Sequence, residues 1–254
     1  DFQKTIESFQ ETLKHEPNNL IALYELSNFK ENILDINLKK KIQKIMDSEN
    51  CITKYRAYGN FLLSKYELKE KNYKREFNFL IKGHLEYFKS ESKKFNNGIK
   101  YWLDELPSIK ELLIFNKENK PIKEVSHEVR PIFLIGFPRC GSTLVEKIIA
   151  SNNQYIPIGE ETNVLSTFVG KKIMQKKIKS DIENIKLNLV EEYKKKGLLQ
   201  KKADYIFTDK SLDNFFYLEI IKNVFPNAKI INCIRNANSS IMSLLKHNLR
   251  DVTW

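Results

Sequence analysis

The chain is poor in the side chains that build disulfides and metal sites. Its 254 residues include three cysteines and four histidines. Cys51, Cys140 and Cys233 are an odd number without metal-type spacing, and the histidines form no cluster in the sequence. The pattern therefore favours reduced thiols in a cytoplasmic protein over a disulfide framework, and it gives no support for a metal site.

Long hydrophobic runs are also missing. No apolar run approaches the roughly 20 residues that a membrane-spanning helix needs, and no secretory signal pattern is present. An apolar content of 41% nevertheless supports a hydrophobic core and excludes an intrinsically disordered chain. The length allows one large domain or two modest ones, and we expect no membrane span.

The charge is strongly positive. Lys and Arg number 43 against 32 Asp and Glu, which gives a formal net charge of +11. Such a charge can indicate nucleic-acid binding, but here the lysines are spread along the whole chain. We interpret them as a solvated exterior and predict no nucleic-acid partner, although a cationic field would still attract an anionic small molecule.

One segment carries the clearest chemical signal. Residues 131–136 form a short apolar run typical of a buried strand, and a helical pattern begins at Ser142 after a turn rich in Gly and Pro. A strand, a glycine loop and a helix N-terminus together present backbone N–H groups and a positive dipole end to a phosphate. Gly136 and Gly141 have the spacing of a P-loop, but Ser142 stands where a nucleotide triphosphatase carries lysine.

With arginine in the loop and no lysine after its second glycine, this segment resembles the 5′-phosphosulfate loop of sulfotransferases. That loop typically reads Pro-Arg-Ser-Gly-Thr-Thr-Leu. Here the sequence is Pro138-Arg139-Cys140-Gly141-Ser142-Thr143-Leu144. The two departures, Cys140 and Ser142, are both small residues.

Two later segments resemble the same family in the expected order. Residues 209–218 are similar to its Asp-Lys-x-Pro-x-Asn-Phe segment, with Leu212 in place of the proline. Residues 225–243 are similar to its 3′-phosphate-binding strand and helix, in which an arginine ends the strand and a serine follows eight positions later. Those two residues are Arg235 and Ser243 here.

The resemblance implies a donor and a site for each of its two phosphates. The closest likeness is to bacterial sulfotransferases with a tetratricopeptide-like N-terminal region, and tyrosylprotein sulfotransferases are more distant. The implied co-substrate is 3′-phosphoadenosine-5′-phosphosulfate, used without a metal. The 5′-phosphate would be held by the 138–144 loop, and the 3′-phosphate by Arg235 and Ser243. The implied loop ligands are Arg139, Cys140, Gly141, Ser142 and Thr143.

The resemblance also implies catalytic residues. Lys210 matches the lysine that neutralises charge on the leaving phosphate. The segment from Gly159 to Thr162 resembles the one that carries the general base. An ungapped count of 21 residues from the loop arginine gives Glu160, whereas the local wording gives Glu161. We prefer Glu160 and expect its side chain to enter the cleft shared with Lys210, with Glu161 turned away.

The helical and strand patterns predict two regions. Residues 1–105 show helical periodicity with restarts near 17–20 and 52–53, close to the tetratricopeptide period, although an ordinary helical bundle would fit too. We assign 106–130 to a linker and 131–254 to an α/β domain. The fold class is thus a P-loop-type parallel sheet flanked by helices, preceded by an all-α tetratricopeptide-like region.

The elements of the α/β domain follow from the same patterns. Strands are predicted at 131–136, 205–208 and 229–234, with a short one at 155–158; helices are predicted at 142–152, 160–200, 213–224 and 237–248. Phosphates should bind at the carboxyl ends of these parallel strands.

Several alternatives remain open at this point. A P-loop kinase is disfavoured by Ser142, and a non-catalytic helical-repeat module with a degenerate nucleotide pocket is the third candidate. The acceptor, a hydroxyl on a protein, a sugar or a small molecule, is not specified; the helical repeats are expected to help bind a protein or glycan. Because the family normally continues beyond this point, we expect the chain to be a fragment of a bacterial cytoplasmic protein.

Overall fold

The computed structural model describes residues 2–114, 129–151, 156–170, 180–199 and 205–248. Their contacts define two compact units. The helical unit contains residues up to 97 together with 245–248, and the sheet unit contains the described residues of 98–244. The predicted domain limits of 105 and 130 stay predictions.

Helices α1 to α6 form in the first hundred residues. Their bounds are α1 Phe2–His15, α2 Leu20–Phe29, α3 Ile36–Met46, α4 Thr53–Lys69, α5 Tyr73–Ser90 and α6 Ser92–Lys100, with a 3₁₀ turn at Glu31–Ile33. Side chains start two of these helices. Asn19 accepts hydrogen bonds from the N–H groups of Ile21 and Ala22, and Asp35 accepts one from Leu38. Such caps satisfy amides that have no partner within the helix.

The helical unit is held together around α4. Leu20 and Leu62 have no exposed surface, and Tyr58 is 1% exposed. The ring of Tyr58 packs edge-on against that of Tyr24, with centroids 5.4 Å apart. The restarts predicted near 17–20 and 52–53 coincide with the starts of α2 and α4. Assignment of these helices to tetratricopeptide repeats stays a prediction.

The sheet unit contains a parallel sheet, as the sequence predicts. Its three strands are β2 Arg130–Gly136, β4 Ile206–Asp209 and β5 Lys229–Cys233, in the order β4-β2-β5. Two-residue strands β1 Leu113–Ile114 and β3 Ser180–Asp181 pair separately, also in parallel. Because all three strands of the main sheet run the same way, their carboxyl ends lie at one edge. The mixed α/β class is thus confirmed.

Helices and 3₁₀ turns accompany the sheet. They are α7 Ser142–Ala150, α8 Val164–Thr167, α9 Ile182–Lys195, α10 Leu218–Val224 and α11 Ala237–Leu245, with a π-helical turn at Tyr101–Glu105 and 3₁₀ segments at Leu106–Leu112 and Leu212–Tyr217. In β2, Phe133 has no exposed surface, and Phe207 of β4 is equally buried. Residues 106–114, which the sequence suggested as part of a linker, contribute the buried side chains of Leu106 and Leu113 to this core.

Three local predictions need correction. The helix predicted over 160–200 is interrupted, because strand β3 at Ser180–Asp181 separates α8 from α9. It also begins only at Val164, because Glu160 and Asn163 have left-handed backbone conformations that a right-handed helix does not include. Residues 156–158 form no strand, although the Pro157 carbonyl accepts the Thr208 N–H of β4 at 3.0 Å. The helix predicted at 213–224 is 3₁₀ as far as Tyr217. Tyr155 and residues 171–179 lie outside the described part of the chain.

Candidate functional site

A tight loop follows the central strand. β2 ends at Gly136, whose φ is 149°, and a Cβ there would meet the carbonyl oxygen of Cys233. The loop turns through Arg139, at φ 69°, and reaches Gly141, which starts α7 at φ 97°. The positive φ angles at Gly136 and Gly141 therefore explain the P-loop glycine spacing, because glycine adopts positive φ with little cost.

The N-terminus of α7 is available to an anion. The Gly141 carbonyl accepts the N–H groups of Leu144 and Val145 at 3.0 and 3.2 Å. The amides of Ser142 and Thr143 therefore precede the first hydrogen-bonded turn. Gly141 and Thr143 are exposed, whereas Ser142 between them is 6% exposed. A helix N-terminus carries N–H groups and a positive dipole end that favour an anion.

Two arginines and a serine meet beside this loop. Arg139 Nε donates to Ser243 Oγ at 3.0 Å, and an Arg235 guanidinium N–H donates to the Arg139 carbonyl at 3.2 Å. Both arginines are exposed. The structure thus brings together three predicted phosphate ligands. The Arg139 side chain contacts Ser243, a predicted 3′-phosphate ligand, and the predicted role of Arg139 at the 5′-phosphate stays a prediction.

The side chain of Cys140 points into the protein rather than toward the exposed arginines. Its side chain is buried with Leu134 and Cys233 in a small cluster behind the loop. Burial raises the pKa of the Cys233 thiol, and the neighbouring Cys140 thiol adds to that effect. The backbone N–H of Cys140 donates to the Phe137 carbonyl at 3.1 Å, so the role of Cys140 as a phosphate ligand stays a prediction.

A lysine and a glutamate pair at the end of β4. The Nζ of Lys210 lies 3.3 Å from Oε1 of Glu161. The lysine side chain is 7% exposed and the glutamate side chain 65% exposed. The predicted orientation is therefore wrong: Glu161 reaches Lys210, whereas Glu160 contributes its backbone carbonyl, which accepts the Lys210 N–H at 2.7 Å.

The backbone around Glu161 explains this orientation. We call residues 157–163 the acid loop. Its residues Glu160 and Asn163 have φ values of 48° and 52°, so the chain turns sharply on both sides of Glu161. The Asn163 N–H donates to Ser211 Oγ at 2.9 Å, which ties the far end of the loop to the residue after Lys210.

Two buried carboxylates support this arrangement, and the sequence analysis gave neither a role. Glu146 of α7 is 1% exposed, and Asp209 at the end of β4 has no exposed surface. Asp209 accepts hydrogen bonds from Thr162 and Tyr193, both at 2.7 Å, and burial with this acidic neighbour raises the pKa of Tyr193. The sequence offers no signal for the burial of Glu146, because its partner Thr208 lies 62 residues away along the chain.

A third acidic group lies nearby in the Leu212–Tyr217 turn. Burial raises the pKa of Asp213 to about 6, against a hydrogen bond from Ser166 that lowers it, and the negative charges of Asp209 and Glu161 add to the increase. Among the described residues, no group of three or more His, Cys, Asp or Glu side chains is arranged to hold a metal ion. Within the same residues, no helix combines the length and apolar character needed to cross a membrane.

A protein-family model matches the part of the chain that contains the main sheet. Residues 131–253 match the model of a sulfotransferase family, described as Sulfotransferase family, which confirms the resemblance found in the loop and strand motifs. That segment contains the loop of residues 136–141, which we call the phosphate loop after its predicted role, and the acid loop with Lys210. It also contains the arginine cluster, which consists of Arg139, Arg235 and Ser243.

A relative extends the similarity toward the N-terminus. A protein of Aquifex aeolicus (strain VF5), described only as an uncharacterized protein, is 28% identical over 235 residues, which cover 87% of this chain. The chain spans 29% of the length of that relative. No solved structure matches the chain significantly.

Proposed function

We propose that the chain carries the site of a sulfotransferase that uses 3′-phosphoadenosine-5′-phosphosulfate as donor and a hydroxyl group as acceptor. One observation carries the proposal. The ends of the three parallel strands bring an arginine–serine cluster, an open helix N-terminus and a lysine–glutamate pair to one edge of the sheet. A donor with two phosphates and a transferable sulfuryl group needs these three kinds of group.

The phosphate-binding roles follow from charge and position. The amides of Ser142 and Thr143 would hold the 5′-phosphate, while Arg235 and Ser243 would hold the 3′-phosphate. Arg139 contacts Ser243 and lies in the loop between the two sites, so its guanidinium is suited to bridge them. Charge-assisted hydrogen bonds from arginine to phosphate oxygens are among the stronger ones in proteins.

The catalytic roles follow from the pair at β4. The bound donor supplies a sulfuryl group on a phosphate leaving group, and transfer forms the bond from acceptor oxygen to sulfur as the sulfur–oxygen bond to phosphate breaks. Lys210 would stabilise the negative charge that develops on the departing phosphate oxygen. Glu161 would accept the proton of the acceptor hydroxyl. Mutual pairing keeps the carboxylate and the ammonium in position before the donor enters.

The proposed acceptor is a chemical class rather than a single compound. It carries a hydroxyl on a protein, a glycan or a small molecule, and we propose that the helical unit helps bind a protein or glycan acceptor.

Transfer from a labelled donor tests the proposal. The protein is incubated with sulfur-labelled donor and with panels of tyrosine peptides, oligosaccharides and phenols. We expect label to enter at least one acceptor class without added metal and Lys210→Met to abolish this transfer. Lys222→Met, an exposed lysine of α10, is the matched control and should retain full activity. Transfer that survives in Lys210→Met would contradict the catalytic assignment.

A further inference from the structure

A buried carboxylate lies directly behind the acid loop. Glu146 stands one helical turn after the phosphate loop, on α7, and is 1% exposed. Its Oε1 accepts a hydrogen bond from Thr208 Oγ1 at 2.6 Å and another from the Glu160 N–H at 3.1 Å. A glutamate carboxylate is costly to bury because it loses its hydration, and the two hydrogen bonds that it accepts offset part of that cost.

Thr208 extends this contact along the acid loop. Its hydroxyl donates to Glu146 and accepts the Gly159 N–H at 3.1 Å. Its own N–H donates to the Pro157 carbonyl at 3.0 Å. Glu146 and Thr208 therefore hold backbone groups of three residues just before Glu161, namely Pro157, Gly159 and Glu160.

The fixed conformation is one that a glutamate does not adopt readily. Glu160 has a φ of 48°, and a non-glycine residue held in that region costs of order 1–3 kcal/mol. Such a conformation persists only where surrounding contacts impose it. The hydrogen bond from the Glu160 N–H to Glu146 acts on the very residue that is turned, and Glu161 follows it toward Lys210.

We propose that Glu146 is a positioning residue, whose carboxylate holds the acid loop so that Glu161 points at Lys210. This inference rests on the proposed function for its effect on turnover, but the anchoring of the loop can be observed without any substrate. Because Glu146 belongs to the helix that starts at the phosphate loop, its side chain links that loop to the pair formed by Lys210 and Glu161.

Substitutions at two positions separate anchoring from packing. Glu146→Leu fills the space without an acceptor, whereas Glu146→Gln keeps an acceptor oxygen for both donors. Thr208→Val keeps the shape of Thr208 but removes the hydroxyl, and it serves where Glu146→Leu fails to fold. Leu189→Ala, which opens a cavity at a fully buried position of α9, is the matched control for general loss of stability.

The first measurement is backbone amide exchange by NMR on the ligand-free protein. We expect the Gly159 and Glu160 amides to exchange at least tenfold faster in Glu146→Leu than in the wild type. Glu146→Gln should restore most of the protection. Leu189→Ala is compared with Glu146→Leu under conditions where the two variants are equally stable, and it should leave the Gly159 and Glu160 amides at least as protected as the other amides of the sheet unit. Unchanged exchange in Glu146→Leu, or equal exchange in the control, would overturn the proposal.

The second measurement is steady-state sulfuryl transfer. Small misplacement of a reacting group can cost on the order of 10²-fold in rate, so kcat of Glu146→Leu should fall by about that factor. The KM for the donor should change less than about threefold, and Glu146→Gln should recover most of the loss. Equal changes of kcat and KM in Glu146→Leu and Leu189→Ala would show a merely structural role. Faster exchange at Glu160 in Glu146→Leu, together with no sulfuryl transfer by the wild-type protein, would support the anchoring and overturn the proposed function instead.

Discussion

Replacing one glutamate at a time by glutamine tests which acidic residue is the general base. Glu161 lies 3.3 Å from Lys210, while the Glu160 backbone, not its side chain, contacts that lysine. We therefore expect Glu161→Gln to lower kcat by on the order of 10²–10⁴-fold, the usual contribution of a general base. Glu160→Gln should change kcat by less than about threefold.

Stability should not confuse this comparison. The Glu161 side chain is 65% exposed, but the Lys210 side chain with which it pairs is 7% exposed, so Glu161→Gln is expected to lose some stability. Turnover of each variant is therefore measured well below its own melting temperature. Glu160→Gly is a second control, because glycine accepts the left-handed conformation of this position. It removes the Glu160 side chain and should keep most of the activity.

The assay is single-turnover transfer from labelled donor at saturating nucleotide, with nucleotide affinity measured by calorimetry. Neither carboxylate contacts the arginine cluster, so affinity for adenosine 3′,5′-bisphosphate should stay within about twofold in both variants. A loss of turnover in Glu160→Gln alone would show that the residue count from Arg139 identifies the base and that the pairing with Lys210 does not. Full activity in both variants would refute a base in the acid loop.

Three further predictions concern binding and stability. Arg139→Ala and Arg235→Ala should each weaken adenosine 3′,5′-bisphosphate by about tenfold to a hundredfold in calorimetry, since a charged hydrogen bond contributes roughly 1.5–3 kcal/mol; undiminished affinity in the double variant would remove the assignment. The folded pKa of Asp213, about 6, lies above its ordinary value of 3.8, so its ionisation opposes folding as pH rises between those values, by up to about 3 kcal/mol. Asp213→Asn should therefore gain stability relative to the wild type between pH 4 and pH 7 in urea unfolding, and a difference independent of pH would contradict this. Gly136→Ala should lower the melting temperature and abolish nucleotide binding, because its Cβ would meet the Cys233 carbonyl; wild-type behaviour would show that the loop adapts.

The sequence predicts the three strands of the main sheet and the glycine turn after β2 well because each depends on local patterns. The apolar run at 131–136 and the glycine spacing specify a buried strand and a positive-φ turn. The parallel order follows from alternating strands and helices. These features need no knowledge of which side chains meet across the sheet.

The orientation of the acid loop could not be predicted in this way. A count along the chain assumes regular geometry, but Glu160 and Asn163 both adopt left-handed conformations. The contact that accompanies this turn comes from Glu146, 14 residues earlier, and a glutamate in a helix reads as surface charge until its neighbours are known. The contact between Arg139 and Ser243 could not be predicted for the same reason, because the two residues lie 104 positions apart.

Metal-independent nucleotide binding tests the central claim most directly. Calorimetry compares adenosine 3′,5′-bisphosphate in the presence of EDTA with ATP in the presence of Mg²⁺, on the same protein preparation. The account predicts that the bisphosphate binds in EDTA at least about tenfold more tightly than Mg·ATP, and that Arg235→Ala reverses most of this preference. Tighter binding of Mg·ATP, with no heat from the bisphosphate, would contradict it and point to a kinase instead.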